Sequence, residues 1–465
     1  MKYNNFIKAF CFLAVAAVAT SCQDNVVVGT ADADRYIAGE SPVLYITDDA
    51  GKSIVSVAEF RTAGTMNLYL HSNVSSSASV TLAYDQKVLD EYNAANGTSY
   101  AAFPQANVTL PGSIALSNNI VSAPAEVKMT SPGNLDPNTP YVIPVKITTS
   151  GGNMKKGQEN RIIFVKDISA FGDVAKYVTD SEGVEHRMMI FSCPEINDCN
   201  PLNHLCYTLK NSGKYITDAV ILFSSNVNYD EATGEVYISN SENLQAVYEN
   251  SEKYLKPLKD RGMKIYLSLL GNHDRSGVAN LSDAACKEFA KKIKAYCDAY
   301  NLDGVFYDDE YSSYVSPPPA GFVQQSRAAY SRLLYEVWKL QPYRDNISYV
   351  YSTGSAVSSV EGVQGGEFCH YALHDYLRSS DLSSSFPGMP KDRMGMYSQE
   401  CAQGRYASAS NLKAKKDQGY CSHMYFAMNP YIREGNTRTA LSRIAQGYFD
   451  DEVVYNGNPL PMDWK

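Results

Sequence analysis

Four carboxylic side chains crowd into the stretch LDGVFYDDEY, residues 302–311: Asp303, Asp308, Asp309 and Glu310. An apolar run leads into the last three, and buried carboxylates are costly unless the strand opens into a polar cleft. Alternate side chains of a strand share a face, so Phe306, Asp308 and Glu310 point one way and Asp309 the other. Two carboxyl groups side by side in a partly dry site do not both ionise readily. One pKa rises, and that group can serve as a general acid. Asp308 and Glu310 are the candidate catalytic pair; Asp303, at the start of the strand, reads as structural.

Such a pair needs a scaffold that holds strand ends at a cleft. From about residue 170 the chain alternates strand and helix, the rhythm of a parallel α/β fold. The candidate strands are Arg187–Ser192, Asp218–Phe223, Lys264–Leu270, Leu302–Asp308, Ile347–Ser352, Phe368–Leu373, Arg393–Tyr397 and Ser422–Met428. Eight of them in nearly three hundred residues suit a (β/α)8 TIM barrel over residues 170–465. The carboxylate stretch is the fourth, and chemistry in such barrels sits at the C-terminal strand ends. After Ser282, a plausible N-cap, Ala285, Phe289, Ile293, Tyr296 and Tyr300 recur at helical spacing and face the core.

Residues 41–168 read differently. Short β-rich runs at Val43–Thr47, Met66–His71, Ser79–Tyr84, Val108–Leu110, Ala125–Thr130, Tyr141–Thr148 and Arg161–Val165 predict a smaller all-β sandwich, interrupted by a helix over Val88–Asn96. No cluster of His, Cys or paired carboxylates there supports catalysis, and an accessory role is expected, a spacer in preference to a glycan-binding module because no aromatic platform is visible.

The net charge of -9, with no basic run longer than Lys413–Lys416, argues against a nucleic-acid partner. With 35 Tyr but only Trp338 and Trp464, a sugar-stacking surface would be built mostly from Tyr and Phe. Residues 1–22 read as a signal peptide: Lys2 and Lys8, an apolar run Ala9–Ala19, then Ala19-Thr20-Ser21-Cys22. Small residues before a cysteine resemble a bacterial lipobox. Cys22 is then the lipidated first residue and 23–40 a tether, making an outer-membrane lipoprotein displayed at the cell surface or on the periplasmic face. The eight later cysteines begin at Cys193 and lack paired CxxC knuckles, so disulfides or free thiols are expected rather than a metal site.

The pattern DG-x-x-x-D-x-E at Asp303, Gly304, Asp308 and Glu310 resembles the signature strand of glycoside hydrolase family 18, and its DDEY ending resembles the endo-β-N-acetylglucosaminidase branch. EINDCNPLN (195–203), YLSLLGNH (266–273) and YALHDY (371–376) resemble the first, third and sixth strands of that branch, and LDEYNAANGTSYAAFP the sandwich that precedes such enzymes in Bacteroides-type lipoproteins. The resemblance implies substrate-assisted cleavage of the β-1,4 bond in the GlcNAc-GlcNAc core of N-glycans. It assigns Glu310 as acid, Asp308 as the partner of the acetamido group and Tyr376 as its second contact. His374, Asn272, Tyr311, Tyr425 and Asn429 are the implied substrate-binding residues. No cofactor or metal is implied, and a monomer is expected. Two positions depart from the family pattern: Phe306 stands where an inward Asp is usual, and His374 where an Asn is. The alternatives are a chitinase, which the scarcity of Trp disfavours, and a non-catalytic glycan-binding protein, which the presence of Glu310 disfavours.

Overall fold

The computed structural model describes residues 42–75, 77–351 and 353–464; Cys22, the signal peptide and the tether lie outside the described residues. The N-terminal part is a sandwich of two sheets. One runs Asn153–Met154, Val43–Asp48, Ala63–Ser72, Ser122–Thr130, Val108–Thr109; the other runs Val55–Phe60, Asn160–Asp167, Tyr141–Ser150, Ala78–Tyr84, Ser113–Leu116, with Ala101–Ala102 added on Tyr141–Ser150. Alternating residues such as Leu44, Ile46, Leu68, Leu70, Ile143 and Val145 fill the space between them. All seven expected runs overlap observed strands. Val55–Phe60 and Ser113–Leu116 lie outside those runs: in the first, Ser56 is buried and Val57 exposed, against the apolar alternation, and the second, although it alternates, is only four residues long. The helix is Gln86–Asn96, capped by Asp85, which accepts from the Lys87 N–H, and ended by Gly97 at φ +63°.

The second part is a closed barrel of eight parallel strands: β1 (Glu185–Cys193), β2 (Ala219–Asp230), β3 (Lys264–Gly271), β4 (Gly304–Asp308), β5 (Asp345–Val350), β6 (Tyr371–His374), β7 (Met394–Gly395) and β8 (Ser422–Phe426). Closure comes from β1 pairing with β8, from Met189 opposite Ser422 to Cys193 opposite Phe426. Strand alternation sorts the side chains. Phe191, Ile221, Tyr266, Phe306, Ile347 and Leu373 plug the lumen, whereas Val305 and Tyr307 of β4 face the surrounding helices. The glycine of the DG pair has a packing reason, since a Cβ on Gly304 would collide with the Asp345 carbonyl oxygen of the neighbouring strand.

The sandwich seats its Val55–Ser113 sheet on the N-terminal face of the barrel, opposite the ends that carry the carboxylates. Phe164 and Tyr100 pack on Tyr343, and Tyr100 donates to the Leu340 carbonyl at 2.9 Å. Lys264, which opens β3, pairs with Glu59 at 3.0 Å. Asp303 belongs to this face: it accepts from the Ile265 N–H at 2.9 Å and meets Lys259 at 3.3 Å and Lys166 at 3.6 Å. The eight later cysteines are all buried and unpaired. The C-terminal segment is a strap: Val453–Tyr455 pairs with Tyr207–Leu209, Leu460 exchanges hydrogen bonds with Asn203, and Trp464 packs on Tyr254. No helix among the described residues is long and apolar enough to cross a membrane.

Candidate active site

Asp308 ends β4 on the lumen side, above the Phe306 ring, and is only 3% exposed. Its Oδ1 has no hydrogen-bond partner. Burial pushes its carboxyl well above the usual range, Glu310 and Asp309 add repulsion, and only the Glu310 N–H opposes them. Glu310 is half-buried; burial and then the charge of Asp375 raise its pKa, against a hydrogen bond from Tyr351. The backbone here is pinned: Gly271 N–H donates to the Glu310 carbonyl at 3.1 Å and His273 N–H to the Tyr311 carbonyl at 2.7 Å. A Cβ on Gly271 would strike that same Glu310 oxygen and the Ser312 hydroxyl, so the close approach requires glycine. Asp309 faces away from the lumen, held by Tyr314 and by Gln325 Nε2 at 3.0 Å.

The end of β6 supplies a third carboxylate. Tyr371 and Leu373 face the lumen, so Asp375 follows them inward, and its Oδ1 accepts from Tyr349 Oη at 2.7 Å and the Tyr376 N–H at 2.6 Å. Arg378 Nε stands 3.4 Å from the other oxygen. Tyr376 leaves the strand alternation after β6 and turns its ring in beside Tyr349 and Phe426, with centroids 6.4 and 6.0 Å away. Burial keeps its hydroxyl protonated. Beyond β1, burial and then Asp198 and Glu400, opposed by Arg433, lift the half-buried Glu195 to about 7.

The lumen mouth thus gathers Asp308, Glu310 and Tyr376, with Tyr311 and Asn272 on the rim. Tyr311 is 58% exposed, its ring edge-on to His273 at 5.5 Å, and Asn272 donates to Asn228 at 3.2 Å. Three residues expected to bind substrate are not gathered there. His374 points outward by alternation, and its Nε2 contacts the Ser380 carbonyl at 2.7 Å. Tyr425 also faces outward, its hydroxyl 2.6 Å from Thr217. Asn429 is fully buried and clasps two loops: Nδ2 donates to the Asp198 carbonyl at 2.5 Å, and Oδ1 accepts from Tyr431 and Ile432. Sequence reasoning missed Asp375, Tyr349 and Glu195. Continuing the period-two count along YALHDY one step past the strand selects Asp375 over His374. Among the described residues no group of three or more His, Cys, Asp and Glu could hold a metal ion.

A closed (β/α)8 barrel with a raised-pKa carboxyl pair at the end of its fourth strand is the frame of a glycoside hydrolase. The chain is 51% identical over 281 residues to endo-β-N-acetylglucosaminidase F1 of Elizabethkingia meningoseptica, which spans 60% of this chain and 83% of that protein. It is 31% identical over 247 residues to an endo-β-N-acetylglucosaminidase of Flavobacterium sp. (strain SK1022), covering 51% of this chain and 76% of that one. A solved structure of EndoBT-3987 from Bacteroides thetaiotamicron, with a Man5GlcNAc product, superposes with a TM-score of 0.81 at 30% identity over 90% of this chain and 97% of that one. A second, in complex with Man9GlcNAc2Asn substrate, gives 0.76 at 29% identity, with the same coverage. A family described as an N-terminal domain matches residues 39–154. The chain belongs to the endo-β-N-acetylglucosaminidases of the family 18 type and is a glycoside hydrolase with an N-terminal sandwich.

Proposed function

We propose that this enzyme cleaves the β-1,4 bond between the two GlcNAc residues of the N-glycan core, using the substrate's own 2-acetamido oxygen as nucleophile. The observation that carries the reading is Asp308: buried, with its proton favoured and one oxygen lacking a partner. A neutral N–H donor delivered by substrate satisfies that oxygen, and an acetamido group offers one. As the acetamido N–H seats against it, Asp308 gives up its proton to solvent, and when the acetamido carbonyl attacks the anomeric carbon the Asp308 carboxylate balances the positive charge that grows on the forming oxazolinium ring. Tyr376 donates to the acetamido carbonyl and holds it in line. Glu310, more exposed and with its proton retained by burial and Asp375, protonates the departing oxygen and later activates water. No protein nucleophile is needed, as in the substrate-assisted exceptions among retaining glycosidases.

The ligands carried by EndoBT-3987 make high-mannose glycans the first substrates to try. Incubation with a high-mannose glycoprotein, a complex-type glycoprotein and chitin oligomers is expected to release glycan from the first and leave one GlcNAc on asparagine. Cleavage of chitin oligomers alone would make the protein a chitinase; binding without release would make it a lectin.

Asp375 gives a pH prediction. Glu310 acts as an acid only while protonated, so kcat/KM falls as pH rises through its elevated pKa. Asp375→Asn removes the neighbouring negative charge and lowers that pKa, so the alkaline limb moves to lower pH. An unmoved limb in the pH profile would show that Asp375 does not act on Glu310.

The monomeric enzyme is further proposed to be exported and anchored through lipidated Cys22, on the strength of the pattern in residues 1–22. Cys22→Ala is expected to move cell-associated activity to the soluble fraction, and unchanged membrane retention would reject the anchor.

A further inference from the structure

The barrel covers the outer face of one sandwich sheet, leaving the outer face of the other, built on Val43–Asp48, Ala63–Ser72 and Ser122–Thr130, turned away from it. The exposed side of an antiparallel sheet is ordinarily polar. Here it carries three rings. Tyr45 and His71 are cross-strand partners with centroids 4.7 Å apart and planes 19° from parallel, and Tyr69, on the same strand as His71, lies 6.4 Å from it at 28°. Polar groups run alongside. Thr47 Oγ1 and His71 Nε2 are 2.8 Å apart, and the exposed Asp49 accepts from Asn67 N–H at 2.8 Å, Asn67 Nδ2 at 2.9 Å and Tyr69 Oη at 3.0 Å. The nearby charges, Glu126 and Lys128, neutralise each other at 3.0 Å.

We propose that this strip is a second carbohydrate site, separate from the barrel, which takes a neutral glycan. The pairing of chemistries selects the ligand. Polarised C–H bonds on a pyranose face meet the negative faces of aromatic rings, while hydroxyls around the sugar's edge need the kind of acceptor and donor that Asp49 and Asn67 present. With Glu126 and Lys128 cancelling, the surface offers little to attract a polyanion. Cross-strand ring pairs also stabilise a sheet. That effect alone predicts a loss of stability on ring removal and no binding.

Native electrophoresis of the full chain through gels containing yeast mannan, galactomannan or hydroxyethylcellulose separates the two. At least one polysaccharide is expected to slow the protein twofold or more relative to a plain gel. Glu310→Gln keeps that retardation, whereas Tyr45→Ala combined with Tyr69→Ala abolishes it while leaving kcat for glycan release unchanged, with only the modest fall in melting temperature that loss of a cross-strand ring pair brings. Asp49→Asn, which leaves the rings in place, weakens it and serves as the readout should the double variant fail to fold. Normal mobility in all three gels overturns the proposal, as does retardation that survives these substitutions. Glycan release is measured on the same samples, so failure of the barrel assignment would be seen independently.

Discussion

Glu310→Gln is expected to lower kcat for glycan release by about 10²- to 10⁴-fold, the span usually lost with a general acid. The amide has the carboxyl's shape and still accepts a hydrogen bond from Tyr351, so what disappears is the proton. Glu310 is half-buried and its backbone is held by Gly271, so the melting temperature should hardly move. Two further readouts make the loss diagnostic. A chitobiosyl substrate with a nitrophenyl leaving group needs little protonation of the departing oxygen, so the variant should lose far less rate on it than on a glycoprotein. The alkaline limb assigned to Glu310 should also vanish from the pH profile. Full activity on glycoprotein would remove Glu310 from the mechanism, and equal losses on both substrates would deny it the acid's role.

Where strands were regular, counting residues was enough. Period-two alternation placed Phe306 and Asp308 in the lumen and Asp309 outside it, and the structure agrees at each position. Beyond a strand end the count changes meaning. Tyr376 would face outward on an extended β6, yet the chain turns after His374 and brings its ring against Phe426. The resemblance points to His374, which stands where the family has an Asn, although alternation from Tyr371 and Leu373 favours Asp375. Asn429 carries no periodicity cue, and only the fold shows that Asp198, Tyr431 and Ile432 already engage its amide. The sandwich strip was invisible for a similar reason. Tyr45 and His71 lie 26 residues apart in sequence and meet only through strand register.

Phe306 now has a physical role. An apolar ring at 1% exposure lies beneath Asp308 where the family usually has a carboxylate, so Asp308 loses solvent on that side without gaining a charged neighbour. The need for a proton or a substrate N–H at its unpartnered oxygen follows. Asp308→Asn tests this directly. The amide oxygen can still accept from an acetamido N–H, so substrate binding should survive with little change in KM, but a neutral group cannot balance the charge of the forming oxazolinium. Hydrolysis is expected to fall by about 10²- to 10³-fold, the cost typical of removing one preorganised electrostatic partner. A preformed oxazoline donor bypasses the step that generates this charge. Transfer from such a donor to a GlcNAc acceptor should therefore fall much less than hydrolysis of the glycoprotein, and the transfer product should accumulate, because cleaving it again needs the impaired step. Measuring transfer from the oxazoline beside hydrolysis of the glycoprotein decides the matter: equal losses would mean that Asp308 only positions substrate, and undiminished glycoprotein hydrolysis would mean that another group carries the charge.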